Sequence, residues 1–176
     1  MKKIKQLGTI AFLALALTFG SCSSDSDGGS TSGGGEGTIS AKVDGKTVTT
    51  MKLGTFGTIA SNGDYKILSL AGADATGKAY NFAVVGFTGK RTYDVNAGAE
   101  SSAVLTYSIT DMNNPQNVNN TWAAGGDDGS TGTITVTEYT DAMVKGTFEF
   151  KGVNQAGAFK EVKNGSFNVK LTQQGQ

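Results

Sequence analysis

A chain of 176 residues has the length of a single domain, and its 15 basic and 15 acidic side chains leave it without net charge. It contains no histidine, one cysteine and one proline. This excludes Ser-His and Cys-His catalysis, His-ligated metals, internal disulfides and Cys-rich zinc or iron–sulfur sites. The charge balance gives no basis for nucleic-acid binding, which selects basic domains.

The first segment reads as an address. Residues 1–21 carry Lys2, Lys3 and Lys5 and no acid, and then the apolar run Ile10–Phe19. A basic stretch, about ten apolar residues and then small residues are the layout of a secretory signal peptide. The run is too short to span a bilayer, which takes about 20 helical residues. The only cysteine follows directly, in Leu17-Thr18-Phe19-Gly20-Ser21-Cys22. This segment resembles the lipobox of bacterial lipoproteins. The resemblance implies that the Cys22 thiol receives a diacylglyceryl group and that cleavage occurs just before it. An unpaired thiol in an exported protein is a liability, which also favours lipidation. Cys22 is thus expected to be an anchor to the membrane and not a nucleophile. Removing residues 1–21 takes away three lysines, leaving 12 basic and 15 acidic side chains and a net charge of −3.

Residues 22–37 join that anchor to the rest of the chain. Their Gly, Ser and Asp content predicts a flexible tether with a reach of roughly 20 Å. Ser23-Ser24-Asp25-Ser26-Asp27 resembles the Ser- and acid-rich export signal that follows the lipidated cysteine in Bacteroidota lipoproteins. That resemblance implies display at the cell surface on an outer-membrane lipid anchor, rather than a periplasm-facing position. Residues 38–172 are then expected to form one β-domain, and 173–176 a short polar tail.

Within the domain, short runs of β-branched and aromatic residues are punctuated by Gly, Asn and Asp, with no sustained helical period. Thr38–Val43 and Lys46–Thr50 flank Asp44-Gly45, a signal for a type I′ hairpin. Tyr65–Ala71 follows a break at residues 61–64. Tyr80–Phe87 is apolar on both faces and predicts a central strand with its outer face buried or covered. Ala103–Thr110, Thr133–Tyr139 and Met143–Val153 come next. Asn164-Gly165 is expected to introduce a last strand, in which Phe167, Val169 and Leu171 share the inward face. The prediction is an all-β fold: an antiparallel β-sandwich of roughly 8–10 strands, with a flattened β-barrel as the alternative.

Three segments near the C-terminus carry a family pattern: Gly132–Tyr139 (GTITVTEY), Val144–Phe150 (VKGTFEF) and Val162–Val169 (VKNGSFNV). They resemble the layout of DUF6252-type lipoproteins of Bacteroidota over residues 132–171. The resemblance implies location and fold class and names no catalytic or binding residue. From the residues alone, Gly146 reads as a bulge or close approach, and Phe148 and Phe150 as one core face.

Catalytic chemistry has little to draw on. Asp94, Glu100, Asp111, Glu138, Glu149 and Glu161 could supply acid–base pairs, but no spacing selects two of them, and a non-enzymatic protein without a cofactor is expected. The candidate site is the segment 111–132, read as one long polar loop, which holds the only proline, Pro115, and the only tryptophan, Trp122. An indole amid Asn119, Asn120, Asp127 and Asp128 would suit a glycan, the ring stacking on a sugar face while amides and carboxylates take its hydroxyls. The competing reading has Trp122 closing one end of the sheet. Asp127-Asp128-Gly129-Ser130 offers oxygen ligands but lacks EF-hand spacing, so no metal is expected. Two functions stay open: a displayed binding module for a glycan or envelope protein, or a structural lipoprotein docking on a membrane complex. A barrel holding a small apolar ligand is a third.

Overall fold

The computed structural model describes residues 35–173 except 64, 97, 99, 100, 115, 116 and 127. The expected signal peptide, the expected lipidation site Cys22, most of the tether and the end of the tail lie outside the described residues. The strands are β1 (Thr38–Val43), β2 (Lys46–Thr49), β3 (Thr55–Asn62), β4 (Tyr65–Ala73), β5 (Lys78–Val85) and β6 (Thr92–Asp94). They continue with β7 (Ser102–Ile109), β8 (Thr121–Ala124), β9 (Thr131–Thr140), β10 (Met143–Val153) and β11 (Phe159–Gln173). The fold is all-β, as the sequence predicts, and among the described residues the only helical pieces are two 3₁₀ turns.

All eleven strands belong to one sheet, in the order β2-β1-β11-β3-β4-β5-β7-β8-β10-β9-β6, with β11 also paired to β10. The pairings therefore run in a ring. Every neighbour is antiparallel except β11 and β3, which run parallel through Leu171 and Gly57. Opposite walls of the ring press together as sandwich layers do. Phe82 on β5 meets Phe148 on β10 with ring centroids 4.6 Å apart, and Tyr80 meets Phe148 at 5.7 Å. Leu68, Leu70, Leu105, Ile134, Phe150 and Phe167 fill the remaining interior.

Local chemistry explains the joints. Asp44 and Gly45 both adopt positive φ, +48° and +81°, as a type I′ turn requires. Tyr93 is buried, and its hydroxyl donates to the Gly89 carbonyl at 2.8 Å and accepts from the Thr88 N–H at 3.0 Å. Gly146 is both a bulge neighbour and a close approach. The β9 partners skip a residue beside it, and a Cβ there would fall on the Thr135 carbonyl and the Phe167 ring.

Two features depart from the sequence reading. Asn164-Gly165 does not open a strand but forms a bulge in the middle of the 15-residue β11. Both neighbours see it: the register slips between Ser40 and Lys42 on β1, and between Phe148 and Phe150 on β10. Asn164 takes φ +52°, which is the property shared by a turn and a bulge. The bulge also moves the inward face from even to odd positions, so Lys160 and Val162 point inward along with Gly165, Phe167 and Val169. The second departure is in segment 111–132, which is not one loop. It contains a 3₁₀ turn (Val118–Asn120), the whole of β8 and the start of β9.

Candidate functional site

Trp122 sits on β8, directly opposite Tyr107 of β7 in the strand register, so both rings point to the interior side. Their centroids are 6.1 Å apart. Tyr107 is fully buried, whereas Trp122 is half-buried and packed against the edge of the core. The glycine opposite, Gly152 on β10, lets the Trp122 main chain come close; a Cβ there would stand 3.0 Å from the Trp122 carbonyl carbon.

Lys160 completes the arrangement. Its ammonium lies 4.4 Å from the Trp122 ring centroid and 2.6 Å from Asp44 Oδ2. Only 17% of the Lys160 side chain is exposed, against 59% for Asp44. One cation thus bridges the indole on β8 and the carboxylate in the β1–β2 turn. Sequence reasoning missed this residue because it lies before the bulge, where simple counting back from Phe167 puts it outside. The signal that would have found it is the pair Lys160 and Val162 on one parity ahead of Asn164-Gly165.

The turns around this end are tied to one another. Asn154 donates from Nδ2 to the Asn119 carbonyl at 2.8 Å, and its Oδ1 accepts from the Ala158 N–H at 2.8 Å. Thr110 N–H donates to the Gly77 carbonyl at 2.8 Å, joining the end of β7 to the β4–β5 turn. Asn117 Oδ1 accepts from the Asn119 N–H at 3.1 Å, setting the 3₁₀ turn ahead of β8. The Tyr80 hydroxyl donates to the Val48 carbonyl at 3.3 Å across the interior. Burial pushes the Tyr107 phenol up to about 12, helped by the Asp74 and Asp44 carboxylates, and burial raises Tyr80 further.

The candidate residues fall into two groups. Asn119 and Asn120 end the 3₁₀ turn that leads into β8, three and two residues before Trp122. Asp128 is exposed beyond the other end of β8, in the connection to β9. Asp127 lies outside the described residues. Asp128 accepts from the Ser130 N–H at 3.0 Å, and its hydrogen bonds to Ser130 hold its carboxyl below the usual carboxylate value. Ser130 is buried, and its Oγ accepts from Gly125 N–H at 3.3 Å, so this corner is a self-contained turn. Of the carboxylates weighed for acid–base work, Glu138 pairs with Lys145 at 2.9 Å and Glu161 with Lys163 at 2.7 Å on the outer surface. Asp111 caps its own turn through the Asn113 N–H at 2.9 Å. Among the described residues, no group of three or more His, Cys, Asp or Glu side chains is placed to hold a metal ion.

No protein-family model matches the chain, and comparison with curated proteins and with solved structures found none similar to it.

Proposed function

We propose that this protein is a lipid-anchored, non-catalytic accessory module of the bacterial cell envelope, akin to the DUF6252-type lipoproteins, that binds a neutral glycan at its Trp122 end. The observation that carries the reading is Lys160 held between the Trp122 ring and Asp44. It ties β8, β11 and the β1–β2 turn together, so the rim has a fixed shape before any ligand arrives. Pre-formed rims lose little entropy on binding. The half-buried indole, with the exposed Asn119 three residues ahead of it in the chain, offers an apolar surface and amide donors and acceptors at one end of β8. An uncharged polyhydroxyl ligand matches that combination. The membrane end is Cys22, with residues 23–37 as spacer, and outer-membrane display follows from the Ser/Asp stretch behind the cysteine.

The test is a glycan panel read with the full chain extracted in detergent. Binding of a neutral glycan, weakened roughly tenfold by Asn119→Ala with an unchanged melting temperature, is expected, since that side chain contributes on the order of one hydrogen bond. If the panel is flat and Trp122→Ala only lowers stability, the rim is packing alone and docking on a membrane complex replaces this reading. Labelled palmitate should enter the wild-type chain and not Cys22→Ser.

A further inference from the structure

The two outer faces of the sheet differ in a way that the glycan reading does not use. A solvated face of an antiparallel sheet ordinarily alternates charged and polar side chains with the buried ones. The face built by β1, β9, β10 and β11 does so, with Lys145, Glu149, Lys151, Glu161 and Lys163 pointing outward. Among the described residues, the outward positions of β3, β4, β5 and β7 carry no charged side chain, Lys66 and Lys78 falling on the other parity.

The strand register shows this row by row. Phe56, Ala71, Asn81 and Thr106 are lateral neighbours across the four strands. Thr58, Ser69, Ala83 and Val104 form the next row, and Ala60, Ile67, Val85 and Ser102 the one after. Ala73, Ala79 and Ser108 extend the patch toward the β4–β5 turn. Phe56 remains 46% exposed and Ile67 36%. Loss of charged residues, with apolar and aromatic side chains retained, is the compositional mark of an interface core.

We infer that a second copy of this chain covers the face, so that two like faces of β3, β4, β5 and β7 meet in a twofold dimer. The charge pattern selects this occupant. An uncharged face attracts and orients no charged partner. A bilayer would strand the Asn81 amide and the Thr58, Ser69, Ser102 and Thr106 hydroxyls away from water. A second copy brings the same hydroxyls to face them, and no like charges oppose one another. Small Ala and Ser side chains let two sheets approach to about 10 Å. The area also suffices. Strands about 4.8 Å apart and rows about 6.8 Å apart give a patch of roughly 500 Å² in plan. Two such patches bury about 1,000 Å², the lower bound of a specific interface.

Two differently tagged full-length copies, expressed together and carrying a photo-crosslinking residue at position 67, test this directly. A crosslinked product containing both tags is expected from Ile67 and not from Thr147 on the charged face. Asn81→Lys, an exposed position able to hold a lysine in the monomer, should cut the yield at least tenfold; Thr106→Glu provides the same test if that variant melts early. A product with another protein or with lipid, equal yields from positions 67 and 147, or no product at all would overturn the dimer. None of these outcomes touches glycan binding at Trp122, so the two readings fail separately.

Discussion

Lys160 Nζ stands 4.4 Å from the centroid of the Trp122 indole although their strands, β11 and β8, do not pair with each other and each pairs with β10. A lysine so placed does two jobs with one side chain. Its methylene stem covers apolar surface, and its ammonium is shared between a π face and the Asp44 carboxylate.

Lys160→Met keeps the stem and removes the cation. The variant should lose about 1–2 kcal/mol in urea unfolding, whereas Asp44→Asn, which keeps a residue tolerant of positive φ in the turn, should lose less than about 1 kcal/mol. The difference between them is the contact with the ring. Trp122 is the only tryptophan, so its emission reads the site without a label. Equal losses, with no spectral change in Lys160→Met, would show that the indole gains nothing from the cation.

Glycines of two kinds can be told apart by one substitution each. At Gly146 a Cβ meets main chain and a buried ring, so Gly146→Ala should destabilise by about 3 kcal/mol or more. At Gly45 nothing stands within 4 Å, but φ is +81°, so Gly45→Ala should lose only about 1 kcal/mol through backbone strain. Thermal or urea melts of the pair check the ordering.

Tyr107 sets an alkaline limit. Its folded value is raised to about 12 from an ordinary 10.0, so the neutral phenol is favoured in the folded state. The stability tied to that neutrality is intact below pH 10 and is lost as pH climbs from 10 toward 12. Tyr107→Phe cannot ionise and should flatten this part of the stability profile, with Tyr80 left as the other phenol that burial raises. A profile unchanged by the substitution would place the alkaline transition elsewhere.

How much of this was legible in the sequence depends on the range over which each signal acts. Asp44-Gly45 was readable because a two-residue hairpin turn is decided by the residues in it. Met143–Val153 was readable because eleven residues of alternation outlast local noise. Asn164-Gly165 misled for a physical reason: turn and bulge demand the same positive φ, and only the flanking strands distinguish them. The role of Lys160 went with it, since one extra residue in a strand exchanges the two faces. Trp122 was identifiable as important, but β8 has four residues between Asn-rich and Gly-rich stretches, too few to show a period. Its neighbours Tyr107, Gly152 and Lys160 come from three other strands, and no short-range pattern joins them. The uncharged outer face was equally hidden, because it exists only once four strands are placed in register.

The last strand has a consequence for the order of events. β11 is bonded to β1, β10 and β3, and its final residues make the only parallel pairing in the sheet. Until those residues are available, β1 lacks its inner neighbour, β10 has one open edge and β3 cannot be joined to either. A chain delivered from its N-terminus therefore gathers hairpins such as β1–β2 and β3–β4 as it emerges, yet cannot close. Closure waits for β11: its hairpin with β10 is local, and the slow step is its capture by β1 and β3, which are distant in sequence.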